Sequence, residues 1–323
     1  MNIISTCMFS NYGEIELLYA KVVSEESLVS NWIVVEGAYS FRGDRKPLIL
    51  RKLIENDVRF KSFLSRIHVV EVNENLIENF QYGAKYLARK KIEIFLRKIF
   101  FSGHINQKRL LLEKKFFYAE NNSRDAAIVK IFELSKSEND WILISDLDEI
   151  LNLTNTKIRD SVIDIMDSDN LFSMLYRQKF AFDFDNLDAQ QRFTPLINIE
   201  LLRRNATPSL SQFRSRFDGI PQIKYPYITE YTFCFDLQTI LKKYEMFPHV
   251  SPSRDSLLEA LKINATPLYA DSSTRDIRWY QKVDILDYCV PEYILNNIEK
   301  LKTNNIDLKY QYFRKLKFPE LFK

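Results

Sequence analysis

The chain has 323 residues, 46% of them hydrophobic and 14% aromatic, with a formal net charge of +3. This length and composition predict a globular protein with a large core, in one large domain or two smaller ones. The net charge is too small to indicate nucleic-acid binding by itself, and the chain, with only six glycines, has no Gly-rich phosphate-binding loop.

Membrane spans, secretion and disulfides are not indicated either. No run of 18 apolar residues occurs, and no basic stretch followed by an apolar one stands near the N-terminus. The cysteines Cys7, Cys234 and Cys289 are odd in number and far apart, which indicates buried thiols in a reducing compartment. We therefore expect a cytoplasmic protein.

Strands and helices alternate along the first half of the chain. Short apolar runs predict strands at residues 3–9, 32–35, 67–72 and 141–145, and apolar residues at helical spacing predict helices at 14–28 and 121–134. This alternation predicts an α/β fold with a mostly parallel central sheet flanked by helices. Residues 1–150 would form its nucleotide-binding half.

The pattern changes in the second half. A helix is predicted at 157–166, long aromatic-rich strands at 171–184 and 195–202, and helices at 237–246 and 255–261. These long strands are typical of antiparallel pairing. We expect residues 151–323 to form an acceptor half that ends in helices, within a single domain spanning 1–323.

A basic segment at 85–115 carries ten Lys or Arg residues and only two acids, Glu93 and Glu113. Its apolar residues recur at helical spacing, so we interpret about 80–118 as a basic helical segment. The favoured interpretation is a docked helix with a solvated basic face. The alternative is peripheral contact with the inner face of a membrane, or attraction of an anionic acceptor.

The most informative run is WILISDLDE at 141–149. A buried strand is followed by Asp146, Asp148 and Glu149, which repel one another unless a cation lies among them. Side chains at i and i+2 of an extended chain point the same way, so the two aspartates can converge on one ion. Ligands of open α/β sheets bind at the carboxyl ends of strands. The run predicts a Mn²⁺ or Mg²⁺ site that holds a phosphate-bearing ligand, whereas the simpler alternative is a turn or a helix N-cap.

Several motifs, in this order, resemble glycosyltransferase family 17, which contains the bisecting β-1,4-N-acetylglucosaminyltransferase of N-glycans. Glu120 and Arg124 match a Glu-x-x-x-Arg pair ahead of the metal strand. The other motifs are CMFSN at 7–11, EIELL at 14–18, IVVE at 33–36, YSFRG at 39–43, KPL at 46–48, ISDLDEI at 144–150, FPH at 247–249 and PEYIL at 291–295.

This resemblance implies a GT-A type nucleotide-diphospho-sugar transferase fold. It also implies a metal-dependent inverting transfer of a sugar, with GlcNAc as one candidate, from a UDP-sugar donor to a glycan acceptor. The chain departs from the family at two places. Tyr231-Thr232 stands where the family has Trp-His, and the basic helical segment at about 80–118 resembles an insertion.

A metal-dependent sugar transfer would need metal ligands and a general base, for which several carboxylates and one histidine are candidates. Asp148 is the first choice as direct metal ligand, and Asp146 would reach the ribose, or the metal through water. Glu149 would support the metal shell or cap the next element. His249 is a candidate third ligand, since neutral imidazole suits Mn²⁺. The general base that an inverting transfer needs has four unranked candidates: Asp183, Asp185, Asp188 and Asp218.

The donor nucleotide would contact further residues. Arg42, Lys46 and Arg124 are candidates to meet its phosphates. Glu120 would accompany Arg124 at the nucleotide, and the alternative for both is a local i,i+4 ion pair. Glu36, at a strand end, would read the base or ribose, or else cap a helix.

Two other classes of function stay open. A haloacid-dehalogenase-like phosphohydrolase also begins its site with strand-Asp-x-Asp, but it expects the motif on an early strand and Thr or Val where this chain has Ile150. A catalytically inactive glycan-binding protein is the third class, which the change at Tyr231-Thr232 keeps open. The expected partners are a nucleotide-sugar and a glycan, not nucleic acid.

Overall fold

The structure is a computed structural model that describes residues 2–78, 80, 107–181, 186–214, 227–232, 234, 243, 280–282 and 284–303. The described strands are β1 Ile3–Phe9, β2 Val29–Gly37, β3 Ile67–Val72, β4 Trp141–Ile144, β5 Glu149–Leu151, β6 Phe172–Ala181, β7 Asn186–Asn198, β8 Ile228–Thr232 and β9 Tyr280–Lys282. The described α-helices are α1 Ile15–Glu25, α2 Leu50–Asn56, α3 Gln107–Asp125, α4 Ala127–Leu134, α5 Thr156–Met166, α6 Ile199–Arg203, α7 Leu210–Arg214 and α8 Glu292–Thr303.

The described strands form one mixed sheet in the order β3-β2-β1-β4-β7-β6-β8-β5, with β9 paired to β7. Strands β3, β2, β1 and β4 pair with one another in the parallel direction. From β4 onward most pairs are antiparallel, β6 with β8 being the exception. The expected parallel half and antiparallel half are therefore both present, but the sheet as a whole is mixed rather than mostly parallel.

Helices cover both faces of this sheet, and the strands alternate their side chains between the two cores. In β4, Trp141 and Leu143 pack on the side of α1, α2, α5 and α8. Ile142 and Ile144 pack on the side of α4, α6 and α7. A strand buried on both faces needs apolar residues at every position, which is why β4 reads as an unbroken apolar run.

The connection from β4 to β5 shows that the sheet curls. Only residues 145–148 separate these strands, so the end of β4 and the start of β5 lie within roughly 18 Å of each other. In the sheet order, however, β7, β6 and β8 stand between them. The β5 edge therefore returns toward β4, and the acidic run lies in the crossing between the two.

Three predicted elements need correction. The helix predicted at 121–134 is broken after Asp125, whose carboxylate instead accepts hydrogen bonds from Ser209 and Ser211 at the start of α7. The strand predicted at 195–202 ends at Asn198, whose side chain caps α6 by accepting from the Glu200 amide. The helix predicted at 14–28 ends at Glu25.

Other predictions agree with the structure or lie outside the described residues. The strands predicted at 3–9 and 67–72 have the observed bounds, and the helix at 157–166 is observed within one residue. Three predicted regions lie wholly or mostly outside the described residues: 81–106, which includes most of the basic segment, most of the helix at 237–246 and all of the helix at 255–261. Among the described helices, none is long and apolar enough to cross a bilayer.

Candidate active site

A cleft opens at the carboxyl ends of β1 and β2, and we call it the β1–β2 cleft. It is a shallow, open cleft whose space, counted together with open solvent, is about 320 Å³. Its lining residues are Met8, Phe9, Ser10, Val35, Gly37, Tyr39, Ser40, Phe41, Lys46 and Ser123. Three aromatic rings and several hydroxyls suit a flat heterocycle with polar edges.

The loop that forms one wall of the cleft depends on two glycines. Gly43 has φ +94°, which side chains rarely adopt, and it closes a turn by donating from its amide to the Ser40 carbonyl. A Cβ at Gly37 would lie 3.0 Å from the carbonyl oxygen of Tyr39. These glycines let the loop fold back over the end of β2.

Glu36 is a capping residue. Its carboxylate accepts hydrogen bonds from the amides of Ile49 (2.9 Å) and Leu50 (3.0 Å) at the start of α2, and the residue is 1% exposed. Of the two roles predicted for it, capping is the one present, because both carboxylate oxygens are already engaged. Lys46, 3.9 Å from Glu36, lines the cleft, and burial lowers its pKa.

We expect Glu36→Gln to weaken the α2 cap, because the amide side chain keeps one acceptor oxygen of two. The free energy of unfolding should fall by about 1 kcal/mol, measured by urea denaturation. An unchanged free energy of unfolding would contradict the capping role of Glu36.

Asp146 is held by two guanidinium groups. Its Oδ1 accepts from Arg124 at 2.8 Å and its Oδ2 accepts from Arg214 at 2.7 Å. Arg124 also donates to Glu120 at 3.1 Å, so the predicted i,i+4 pair is present and is extended to the acidic run. Burial alone would raise the pKa of Asp146, but Arg214 and Arg124 outweigh burial and hold that pKa well below its usual range.

Glu149 is the centre of a buried ion-pair network. Arg214 donates to both of its carboxylate oxygens, at 2.7 and 2.8 Å, and Thr194 donates at 2.9 Å. Arg177 forms a further ion pair with it and also pairs with Glu230. The carboxylate oxygens of Glu149 hold Arg214 and β6 together. This role differs from the two that were predicted for Glu149, support of the metal shell and capping of the next element.

Asp148 shares an ammonium group with Glu14. The Nζ atom of Lys243 lies 3.0 Å from Asp148 Oδ2 and 3.1 Å from Glu14 Oε1. Glu14 in turn accepts from the Ser10 amide at 2.7 Å, and Ser10 lines the β1–β2 cleft. Burial, with Glu230 and Asp146 nearby, raises the pKa of Asp148, and Lys243 opposes that rise.

The cleft and the acidic run are therefore linked from two sides. On one side the link runs through Ser10 and Glu14 to Lys243. On the other, consecutive residues of α3 face different parts of the site, since Ser123 lines the cleft and Arg124 contacts Asp146. A ligand that fills the cleft would have the acidic run and its cations as neighbours.

Beneath the run lies a fully buried polar network centred on Lys21 of α1. Its ammonium donates to Glu25 (2.7 Å), to the Ser145 hydroxyl (2.9 Å) and to the Glu149 carbonyl (2.6 Å). Glu25 also accepts from the Trp32 indole and the Leu151 amide. Lys21 thus fixes both ends of the segment that carries Asp146 and Asp148.

The donor set fits a divalent cation at Asp148 but not at Asp146. Both oxygens of Asp146 are engaged by arginines, whereas Asp148 and Glu14 already converge on one cationic group, and carboxylate oxygens suit Mg²⁺ and Mn²⁺. Among the described residues, no group of three or more potential ligands is arranged around a common point. Asp148 therefore stays a predicted metal ligand, and His249, the predicted third ligand, lies outside the described residues.

Of the remaining predicted residues, the structure describes the positions of Arg42 and Asp188, and the others lie outside the described residues. Arg42 stacks against Phe116, 6.0 Å from the ring centre. Asp188 lies in β7, opposite Lys179 of β6 in the register. Outside the described residues are the other base candidates and the proposed metal-binding histidine: Asp183, Asp185, Asp218 and His249.

Sequence reasoning missed the cations of the site. Arg177, Arg214 and Lys243 come from β6, the end of α7 and a distant segment. No motif near them points to the acidic run, because their partners within the run are 28 to 95 residues away and are brought near only by the fold. Lys21 carried one weak signal, a charged residue within the apolar face of α1.

Comparisons with known proteins add little to this description. No protein-family model matches the chain, and no curated protein matches it. One solved structure, a bifunctional NMN adenylyltransferase/ADP ribose pyrophosphatase from Francisella tularensis, aligns over 66% of this chain and 72% of its own, with 9% identity and a TM-score of 0.17. A similarity of that size supports no conclusion about fold family or activity.

Proposed function

We propose that this protein is an inverting glycosyltransferase with a GT-A type fold, which transfers a sugar from a UDP-linked donor to a glycan acceptor. One observation carries the proposal. The Asp146-x-Asp148 run follows β4 at the same edge of the parallel strands as the β1–β2 cleft. A nucleoside in the cleft would direct its diphosphate toward these aspartates.

The order of the strands supports this assignment. Strands β3, β2, β1 and β4 are parallel, so their carboxyl ends meet at one edge, where open α/β sheets bind ligands. The motifs that resemble family 17 contribute to that edge from β1, β2 and β4. An antiparallel half beyond β4 offers room for the acceptor.

The chemistry requires charge neutralisation and proton removal. As the bond to the sugar breaks, negative charge grows on the leaving diphosphate, and cations are needed beside it. A Mn²⁺ or Mg²⁺ ion held by Asp148 would act as a Lewis acid there when bound. Arg124 donates within the same cluster. The base that deprotonates the acceptor hydroxyl stays among Asp183, Asp185, Asp188 and Asp218.

The phosphohydrolase alternative is less well supported. Its first aspartate must attack phosphorus with an accessible carboxylate oxygen, and here that residue would be Asp146. Each oxygen of Asp146 is bound by an arginine. Attack through either oxygen would require its ion pair to break, and for the oxygen bound by Arg124 the burial of that arginine (6% exposed) makes the loss costly.

The test is donor binding followed by turnover. We expect UDP, among UDP, GDP and ADP, to raise the melting temperature most when Mn²⁺ is present. Wild type should also release UDP slowly from a UDP-sugar, and Asp148→Asn should lower that rate at least about 100-fold. The matched control is Asp160→Asn, because this exposed aspartate of α5 should leave the rate within about two-fold.

Other outcomes would contradict the proposal. Release of inorganic phosphate from phosphoesters would indicate the hydrolase. Glycan binding without any nucleotide binding would indicate the inactive module. Equal rates for Asp148→Asn and Asp160→Asn would remove the acidic run from the site.

A further inference from the structure

Lys243 stands between the two parts of the site. Its ammonium contacts Glu14, on the loop after β1, and Asp148, on the loop after β4. Its side chain is 12% exposed, so it is neither free in solvent nor sealed in the core. A ligand that extends from the cleft past Ser10 and Glu14 would meet this group.

A balance of charges shows why a cation is needed at this point. Glu14 and Asp148 are both buried, and no other described basic side chain lies within ion-pair distance of either one. An anionic ligand that approaches these carboxylates without a cation between them would be repelled. The ammonium of Lys243 removes that barrier while the site is free of ligand.

We propose that Lys243 binds the diphosphate of the donor, exchanging its contact with Glu14 or Asp148 for an anionic oxygen of the ligand. This inference rests on the proposed function and adds a residue that the acidic motif does not include. An ammonium group on a flexible four-carbon stem can turn between carboxylate and phosphate partners that lie a few ångströms apart.

The test compares a charged ligand with its uncharged part. We expect Lys243→Met to weaken UDP binding by about 10- to 100-fold and uridine binding by less than about two-fold, both measured by calorimetry. Lys243→Arg should keep UDP affinity closer to wild type, because it retains a cation. Both titrations are made in EDTA, so that no metal at Asp148 contributes to UDP binding. The difference between UDP and uridine is then one that a lysine which only positions Asp148 would not produce.

The stability of the variant is controlled separately. If Lys243→Met does not fold, the double variant Lys243→Met/Glu14→Gln removes one of the carboxylates that lost its partner, and we expect it to fold and to show the same selective loss of UDP affinity. Equal losses for UDP and uridine, or no loss for UDP, would overturn the role of Lys243. Wild type that binds neither nucleotide would contradict the proposed function itself.

Discussion

Replacing Lys21 with methionine is expected to destabilise the protein by about 3–5 kcal/mol. Its side chain and that of Glu25 are both 0% exposed, so the variant leaves a buried carboxylate without its cation. The hydroxyl of Ser145 and the carbonyl of Glu149 lose the same donor. Urea denaturation followed by circular dichroism measures the loss, and methionine keeps the length and helix propensity of the original residue.

The matched control is Lys130→Met. Lys130 is also a helical lysine with an acidic partner nearby, Glu133, but the pair is partly exposed, and its loss should cost less than about 0.5 kcal/mol. The double variant Lys21→Met/Glu25→Gln should recover part of the lost stability, since no unpaired charge remains buried. A loss below about 1 kcal/mol in Lys21→Met would show that water or another cation reaches Glu25.

Replacing Arg214 with methionine is expected to cost about 3 kcal/mol and to loosen the acidic run. This guanidinium donates to Asp146, to both oxygens of Glu149 and to the Ile144 carbonyl, so it closes the turn between β4 and β5. Arg214→Lys should recover only part of the stability, because one ammonium cannot reproduce the two-pronged contact. Denaturation at pH 7 measures both variants.

The effect of pH tests the electrostatic part of this expectation. The pKa of Asp146 is depressed in the folded state by Arg214 and Arg124 against the effect of burial, so its stabilisation is present above the unfolded pKa of about 3.9. It declines as the pH falls toward the folded pKa. The difference between wild type and Arg214→Met should therefore shrink below about pH 4. A constant difference between pH 7 and pH 3 would contradict this ion pair.

Arg204→Met provides the control for Arg214. Arg204 is the C-cap residue of the neighbouring helix α6. It pairs with Glu200 at 2.5 Å, but its side chain is 62% exposed. Exposed pairs of this kind contribute little, so the variant should stay within about 0.5 kcal/mol of wild type. A large loss of stability in Arg204→Met would mean that the stability loss of Arg214→Met comes from helices α6 and α7 and not from the acidic run.

Local pattern predicted the strands of the parallel half well and the helix boundaries less well. The apolar run before Asp146 identified β4 because both faces of that strand are buried. The break between α3 and α4 escaped prediction, and Asp125 at that break contacts Ser209 and Ser211, which are 84 and 86 residues away. The end of β7 did carry a local signal, the Asn198 cap with Glu200 two residues later.

The sequence by itself determined that a buried strand ends in Asp146, Asp148 and Glu149, and that strands and helices alternate before it. Only the tertiary structure decided how each carboxylate is neutralised: Asp146 by Arg124 and Arg214, Glu149 by Arg214 and Arg177, and Asp148 by Lys243. Hydrophobic periodicity acts over a few residues and so can be read from the chain. The partner of a buried charge is set by which distant segments the folded sheet brings within about 3 Å, and no local pattern encodes that choice.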